Sequence, residues 1–479
     1  MIGTHADMLA VLTRFNPWWA GAPVPLVPPW KRAAFGPLQR WAAEPPAGRA
    51  LLLSGARQVG KTTLLLQLVQ SLLAQGVPAN NILYATFDHP LLKLSSIDQV
   101  LAAWREFTPA SPGPEYVVLD EIQAKPDWQT WLKLQVDFQK NRRIVVTGSA
   151  TPLMREHVES GVGRWQTLRI PTLSFFEFLQ IREIRLASLP VVQSLQQLFT
   201  WEAAQFQRVS ATVSELTGHF HEYLLRGGFP QSAKVPDLNE AQRLLREDIV
   251  DKVLKRDMTA LFGVRRVVEL EQVFLYLCLH EGGILNLPDL CKNLELKRPT
   301  VENFVDLLEA AHLIYQLKPL GYGKEVLRGR RKVYLADPAL GSSVLLRGRS
   351  LLEDETTLGL VVESACFRHL FGRYYREAIG FTYWRNRSGE EVDVVAELRG
   401  QLVPFEVKYR RAASIEYPGL VSFMREKRPE RAYLITRELT DFGIHKVRDS
   451  ETQLLRIPAA LACYWLGAAE VQEGAEGSA

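Results

Sequence analysis

The chain has 479 residues, 47% apolar and 23% charged, which excludes an unfolded polyelectrolyte. That length exceeds one hydrophobic core and implies about three domains. A formal charge of +4 is too small to argue for nucleic acid unless basic residues cluster locally, and no apolar run is long enough to span a bilayer.

Cys278, Cys291, Cys366 and Cys463 lie far apart with no C-x-x-C pair, so they read as buried thiols rather than a zinc site or disulfide framework. Residues 1–45 form a Trp- and Pro-rich extension, "NPWWAGAPVPLVPPWKR" at its centre. Trp18, Trp19 and Trp30 are expected to pack on the following domain or a neighbouring subunit, with base stacking as the alternative. The start lacks the basic and apolar regions of a secretory signal, so a cytoplasmic, membrane-free protein is expected.

"ALLLSG" is continuously apolar and predicts a buried parallel strand, and "KTTLLLQLVQSLLAQG" predicts a helix ended by Gly76 and Pro78. Between them stands G-x-x-x-x-G-K-T, with Gly55, Gly60, Lys61 and Thr62 at its fixed positions. Glycines let a loop wrap phosphate oxygens, and the helix start adds inward N–H groups and a positive dipole end. Gly55, Ala56, Arg57, Gln58, Val59, Gly60, Lys61, Thr62 and Thr63 are therefore the expected ATP cradle. Lys61 would reach the β- and γ-phosphates and Thr62 would ligate Mg²⁺.

"NILYATFDHP" predicts a strand ending at Asp88, and "EYVVLDEIQ" one ending in Asp120 and Glu121. Asp120 is expected to hold the Mg²⁺ water shell, and Glu121 to polarise the attacking water. "RRIVVTGSA" ends in Thr147, Gly148 and Ser149, and one of the two hydroxyls there is expected to sense the γ-phosphate at the carboxyl edge of a sheet. The order β-α-β-α-β-α-β implies an α/β domain with a parallel sheet covered on both faces.

With "TGS", the following G-R pair and "LSFFEFL", residues from about 50 to 180 resemble the AAA-type P-loop ATPases. Gly163 and Arg164 match the G-R pair. The resemblance implies Arg164 as a candidate arginine finger given to a neighbouring subunit, with Arg142 and Arg143 as competitors, and hence a homo-oligomer, hexameric by analogy. The ATPase core is placed at 46–180. Residues 181–261 read as a helical lid region, interrupted by Gly227, Gly228 and Pro230 of a G-G-F-P motif that recurs in the same family.

Residues 262–345 read as three helices and two strands, the layout of a winged-helix-like module with "GYGKEVLRGRRK" at the wing tip. In one reading Lys297, Arg298 and the wing touch DNA phosphates; in the other the module is a rigid coupler. Glu302, Asp306 and Glu309 make the third helix poorly suited to groove insertion, so any DNA contact is expected to be non-sequence-specific.

Residues 346–465 carry three predicted strands, Thr382–Arg385, Glu391–Glu397 and Leu402–Tyr409. Asp393 lies on the second, and Glu406 and Lys408, two apart, share a face of the third. That is the D…E-x-K layout of restriction-endonuclease-like nucleases, which use Mg²⁺. Over residues of about 40 to 440 the chain resembles a widespread prokaryotic family that joins this ATPase to a C-terminal nuclease-like domain of unknown function. The family marks Y-W-R-N, E-V-D and E-V-K all stand here. The resemblance implies Glu363, on a preceding helix, as a fourth member of that site. Either a working Mg²⁺ site or a fold that binds without cutting fits these residues. The tail, 466–479, is small and acidic and is expected to be disordered.

The function expected is a Mg²⁺-dependent ATPase that acts on DNA as an oligomeric motor or switch, with Lys61, Asp120, Glu121 and Arg164 in catalysis. The alternatives are a nucleotide-gated protein-binding switch and an ATP-regulated, Mg²⁺-dependent DNA nuclease.

Overall fold

The computed structural model describes residues 5–25, 27–149, 163–186, 189–212, 215–321, 329–377, 379–398, 400–411, 415–448 and 450–475. The chain divides into two compact units, Met1–Ile170 with Glu473–Ala479, and Pro171–Gln472.

The first unit is built on a five-stranded sheet of β1 (Ala50–Ser54), β2 (Ile82–Thr86), β3 (Glu115–Asp120), β4 (Arg142–Gly148) and β5 (Trp165–Arg169). All pairings are parallel, in the order β2-β3-β4-β1-β5. The four strands predicted from apolar runs are present because each is buried on both faces; Leu52, Leu83, Val117 and Ile144 share one core with Trp104. The fifth strand was not foreseen, since Gln166, Thr167 and Arg169 are polar and exposed on an outer strand. Parallel alignment brings Ser54, Asp120 and Gly148 out at one edge, where the glycine loop after β1 begins.

The opposite outer strand, β2, is covered by the amino-terminal extension. The Asn16 side-chain amide donates to Tyr84 O at 2.8 Å and accepts from Tyr84 N at 2.7 Å, extending the sheet by one peptide-like group. The Trp18 and Trp19 indoles donate to Ile82 O at 3.2 and 2.9 Å. These tryptophans thus pack on the first unit and blunt an otherwise open edge. Asn16→Ala leaves both backbone groups of Tyr84 unpaired, and urea unfolding is expected to show a loss of about 1–3 kcal/mol.

The second unit contains β6 (Ile314–Pro319), β7 (Lys332–Leu335), β8 (Ile379–Arg385), β9 (Glu391–Leu398), β10 (Gln401–Lys408), β11 (Arg431–Thr436), β12 (Gly443–Lys446) and β13 (Gln453–Pro458). Their order is β12-β13-β11-β10-β9-β8-β6-β7. Helices Val267–Leu279, Leu287–Asn293 and Arg298–Ala310 precede the antiparallel β6–β7 pair. Residues 322–328 of the expected wing tip lie outside the described residues. β6 also pairs in parallel with β8, so the hairpin continues the sheet that follows it. Helix Glu355–Tyr374 leads into the antiparallel run β8-β9-β10, and helix Pro418–Lys427 leads into β11, parallel to β10.

The amphipathic stretch 238–262 is helical throughout, with Leu245–Asp257 in wider π geometry. Its buried Leu245, Ile249, Val253 and Leu254 recur at four to five positions, as a wider turn requires. The G-G-F-P motif has a packing reason. Buried Asp337 accepts from Gly228 N at 2.6 Å and from Ala339 N at 3.0 Å, and a Cβ on Gly228 would stand 2.5 Å from Leu173 O.

The tail expected to be disordered from 466 is instead helical as far as residue 475, within Ala459–Ala475. Alanine favours helix, Trp465, Leu466, Ala468 and Ala469 are buried, and Glu470 pairs with Arg368 at 3.1 Å. Residues 476–479 lie outside the described residues. Among the described residues no helix is long and apolar enough to cross a membrane.

Candidate nucleotide site and an acidic cluster

β1 delivers the chain to Gly55, where a Cβ would stand 2.4 Å from Ile170 O, so only hydrogen fits. Gly60, at φ 97°, turns the loop into helix Lys61–Ala74. Lys61 is buried, and its Nζ donates to Gly55 O and Ala56 O, each at 2.9 Å, folding the ammonium across its own loop. Arg32, from the amino-terminal extension, donates to Val59 O at 2.8 Å and braces the loop from outside. Gln67 on the same helix donates to Pro28 O and Trp30 O, tying that extension down.

Three hydroxyls converge on Asp120. Thr62 donates to its Oδ2 at 2.7 Å, Tyr84 to the same oxygen at 3.2 Å, and Thr147 to Oδ1. Burial, with Asp120 beside it, pushes the Tyr84 phenol well above its usual range, so it stays a donor. A threonine hydroxyl next to a carboxylate is the hard-oxygen pair that Mg²⁺ takes, so these residues fit that ion. Glu121 sits beside them in a left-handed conformation, φ 54°, its N–H donating to Thr147 Oγ1 at 2.9 Å. The Gln123 amide donates to the Glu121 carboxylate and to Ser149 Oγ, the latter at 2.9 Å. Burial raises the Glu121 carboxyl above the usual range; Lys61 opposes this, Asp120 adds to it, and Arg57 also opposes it.

The structure brings Lys61, Thr62, Asp120, Glu121 and Ser149 together at one edge. Arg32, Tyr84 and Gln123 were missed: Tyr84 hides in an apolar strand, and Arg32 acts from 27 positions upstream of its partner. Arg164 does not join this site within its own chain. The pairing of Ala50 with Trp165 puts it at the amino end of the sheet, roughly 15 Å of strand from the loop. There it pairs with Asp137 at 3.3 Å. Arg142 and Arg143 begin β4 at the same end, bonded to Glu115 at 2.9 Å and to Tyr116 OH at 2.7 Å.

The second expected site gathers too, but around a residue not foreseen. Asp393 Oδ2 accepts from Val407 N at 2.9 Å, Glu406 Oε2 accepts from Asp393 N at 3.3 Å, and Lys408 Nζ lies 2.5 Å from Glu406 Oε1. Lys332 of β7 places Nζ 2.6 Å from Glu363, 2.7 Å from Glu391 and 2.9 Å from Asp393. Tyr334 donates to Glu363 at 2.6 Å. Burial opposes the Lys332 charge, but Asp393 and Glu363 outweigh it and hold the ammonium well above its usual range. Burial, with Asp393 adding, raises the Glu363 and Glu406 carboxyls. Lys332 Nζ thus stands between Glu363 and Asp393, two of the carboxylates expected at a Mg²⁺ site.

Nearby, burial pushes buried Glu281 up to about 8, with Glu363 and Asp337 adding to it. The folded state then binds a proton that the unfolded chain has released between the usual glutamate range and about pH 8, so stability falls as pH rises through that window. Glu281→Gln is expected to match the wild-type thermal midpoint at pH 5 and exceed it at pH 8.

Family models match three stretches: an AAA domain over residues 47–179, and two domains of unknown function, DUF8612 over 217–350 and DUF4143 over 358–459. An uncharacterized protein of Haemophilus influenzae is 27% identical over 369 residues, 75% of this chain and 82% of that one. An uncharacterized protein of Methanocaldococcus jannaschii is 23% identical over 348 residues, 71% of this chain and 70% of that one. Among solved structures, C. elegans PCH-2 matches with a TM-score of 0.27 and 16% identity over 46% of this chain and 66% of that chain, just under two thirds of its length.

Proposed function

We propose, since the chain belongs to the prokaryotic AAA-type P-loop ATPases that carry C-terminal domains of unknown function, that it is a Mg²⁺-dependent ATPase working as an oligomeric, nucleotide-controlled switch on DNA. The observation that carries this reading is the convergence of Thr62, Tyr84 and Thr147 on Asp120, with Glu121 alongside. Lys61 exchanges its loop carbonyls for β- and γ-phosphate oxygens. Thr62 and Asp120 hold the cation and its water, and Glu121 orients the attacking water. Bound Mg²⁺ supplies charge neutralisation between the phosphates. Gln123 links Glu121 to Ser149, so movement at the γ-phosphate edge reaches the base.

The place of Arg164 at the far end of the sheet suits donation to a neighbour's site, which supports a homo-oligomer, hexameric by analogy. Exposed Lys297 and Arg298 support non-sequence-specific DNA contact. The acidic residues of their helix are spent internally: Glu302 pairs with Arg298, Asp306 with Arg331, and Glu309 accepts from Gln316. A protein-binding switch is the second reading, favoured by Val268, Leu275 and Leu279, exposed 63, 42 and 52% on one helix.

ATP turnover with single-stranded, duplex and branched DNA tests these readings. Stimulation by DNA that vanishes in Lys61→Ala is expected. Turnover indifferent to DNA, with no DNA bound at moderate salt, would leave the protein switch.

A further inference from the structure

We infer that Lys332 is the resident cation of the acidic cluster, standing in place of a divalent metal, so that the C-terminal domain binds its partner without metal-dependent phosphodiester cleavage. Three features of the geometry lead there.

The first is the number of donors. An ammonium has three N–H groups. Lys332 Nζ meets Glu363, Glu391 and Asp393 at 2.6, 2.7 and 2.9 Å, which uses all three. The second is the acceptors. Asp393 Oδ2 is taken by Val407 N, the two oxygens of Glu406 by Lys408 and Asp393 N, and Glu363 Oε1 also by Tyr334. A magnesium ion needs several oxygen lone pairs facing one point; here those of Glu363, Glu391 and Asp393 face a nitrogen. The third is burial. Lys332 is 1% exposed, so an entering cation would strand a buried ammonium beside itself.

The arrangement also joins elements. Lys332 lies on β7, Glu363 on helix Glu355–Tyr374, and Glu391 and Asp393 on β9. One side chain thus ties the hairpin to the core of the carboxy-terminal domain, beside the backbone pairing of β6 with β8. The hairpin and that domain are expected to move as one piece.

The inference stands apart from the ATPase reading and is tested without nucleotide. Mn²⁺ is titrated into the full-length chain and followed by electron paramagnetic resonance, with Asp120→Asn and Asp393→Asn as controls for the two sites. The wild type is expected to show no bound Mn²⁺ that Asp393→Asn removes, and no thermal shift with millimolar Mn²⁺ that Asp393→Asn abolishes. Lys332→Ala, stripped of its cation, is expected to melt roughly 5–10 °C lower and to recover on adding Mn²⁺. Stoichiometric Mn²⁺ in the wild type that is lost in Asp393→Asn but kept in Asp120→Asn would overturn the inference. So would Mn²⁺-dependent nicking of supercoiled DNA abolished by Asp393→Asn, or a Lys332→Ala chain as stable as wild type without metal. If Lys332→Ala does not fold, the wild-type titration decides alone.

Discussion

Glu121→Gln is expected to lower ATP turnover about 10²–10⁴-fold while ATP binding survives. The substitution keeps size and hydrogen bonding but removes the charge proposed to orient and polarise water. In the proposed reading, binding belongs to other groups: the loop amides, Lys61, and Thr62 with the Asp120 it is bonded to. The Glu121 backbone is held by Thr147, so the exchange leaves the loop geometry in place. Phosphate release and nucleotide filter binding, measured on the same preparation, separate the two effects. Equal loss of both would show that Glu121 serves the cradle rather than the chemistry.

Arg368→Met is expected to destabilise the second unit by about 3–5 kcal/mol. Its guanidinium is fully buried, 3.1 Å from Glu470, 3.8 Å from Glu177 and 2.9 Å from Thr172 O. Burial opposes the charge, but Glu470 and Glu177 more than restore it. Removing the arginine leaves two carboxylates in the interior without their cation. The loss is read as a lower midpoint in urea unfolding. Adding Glu470→Gln is expected to recover part of it, because replacing both partners costs less than orphaning one.

These two sites differ in how much of them the chain announces. The nucleotide edge is local: "LLLSG", "GKTT", "VVLDE" and "VVTGS" each carry their own strand or helix signal. Parallel strands buried on both faces then bring their carboxyl ends together. What escaped is what acts across the fold. Tyr84 and Gln123 matter only once β2, β3 and β4 are side by side, and Arg32 only once the extension lies against the loop. Lys332 is the sharpest case. In "RRKVYLADP" it alternates like any lysine on a strand, and its carboxylates lie 31, 59 and 61 positions away, on a helix and another strand. Charge spacing that suggested a metal site could not reveal that a distant ammonium fills it. The tail misled by composition: small residues read as disorder where they pack as an alanine-rich helix around Trp465.

The most direct measurement is steady-state phosphate release from ATP with and without Mg²⁺, on wild type and Lys61→Ala. Mg²⁺-dependent release by the wild type, falling to background in Lys61→Ala, is the expected result. Release that persists unchanged in Lys61→Ala, or a wild-type chain that neither binds nor hydrolyses Mg²⁺–ATP, would contradict the assignment of this edge to a nucleotide.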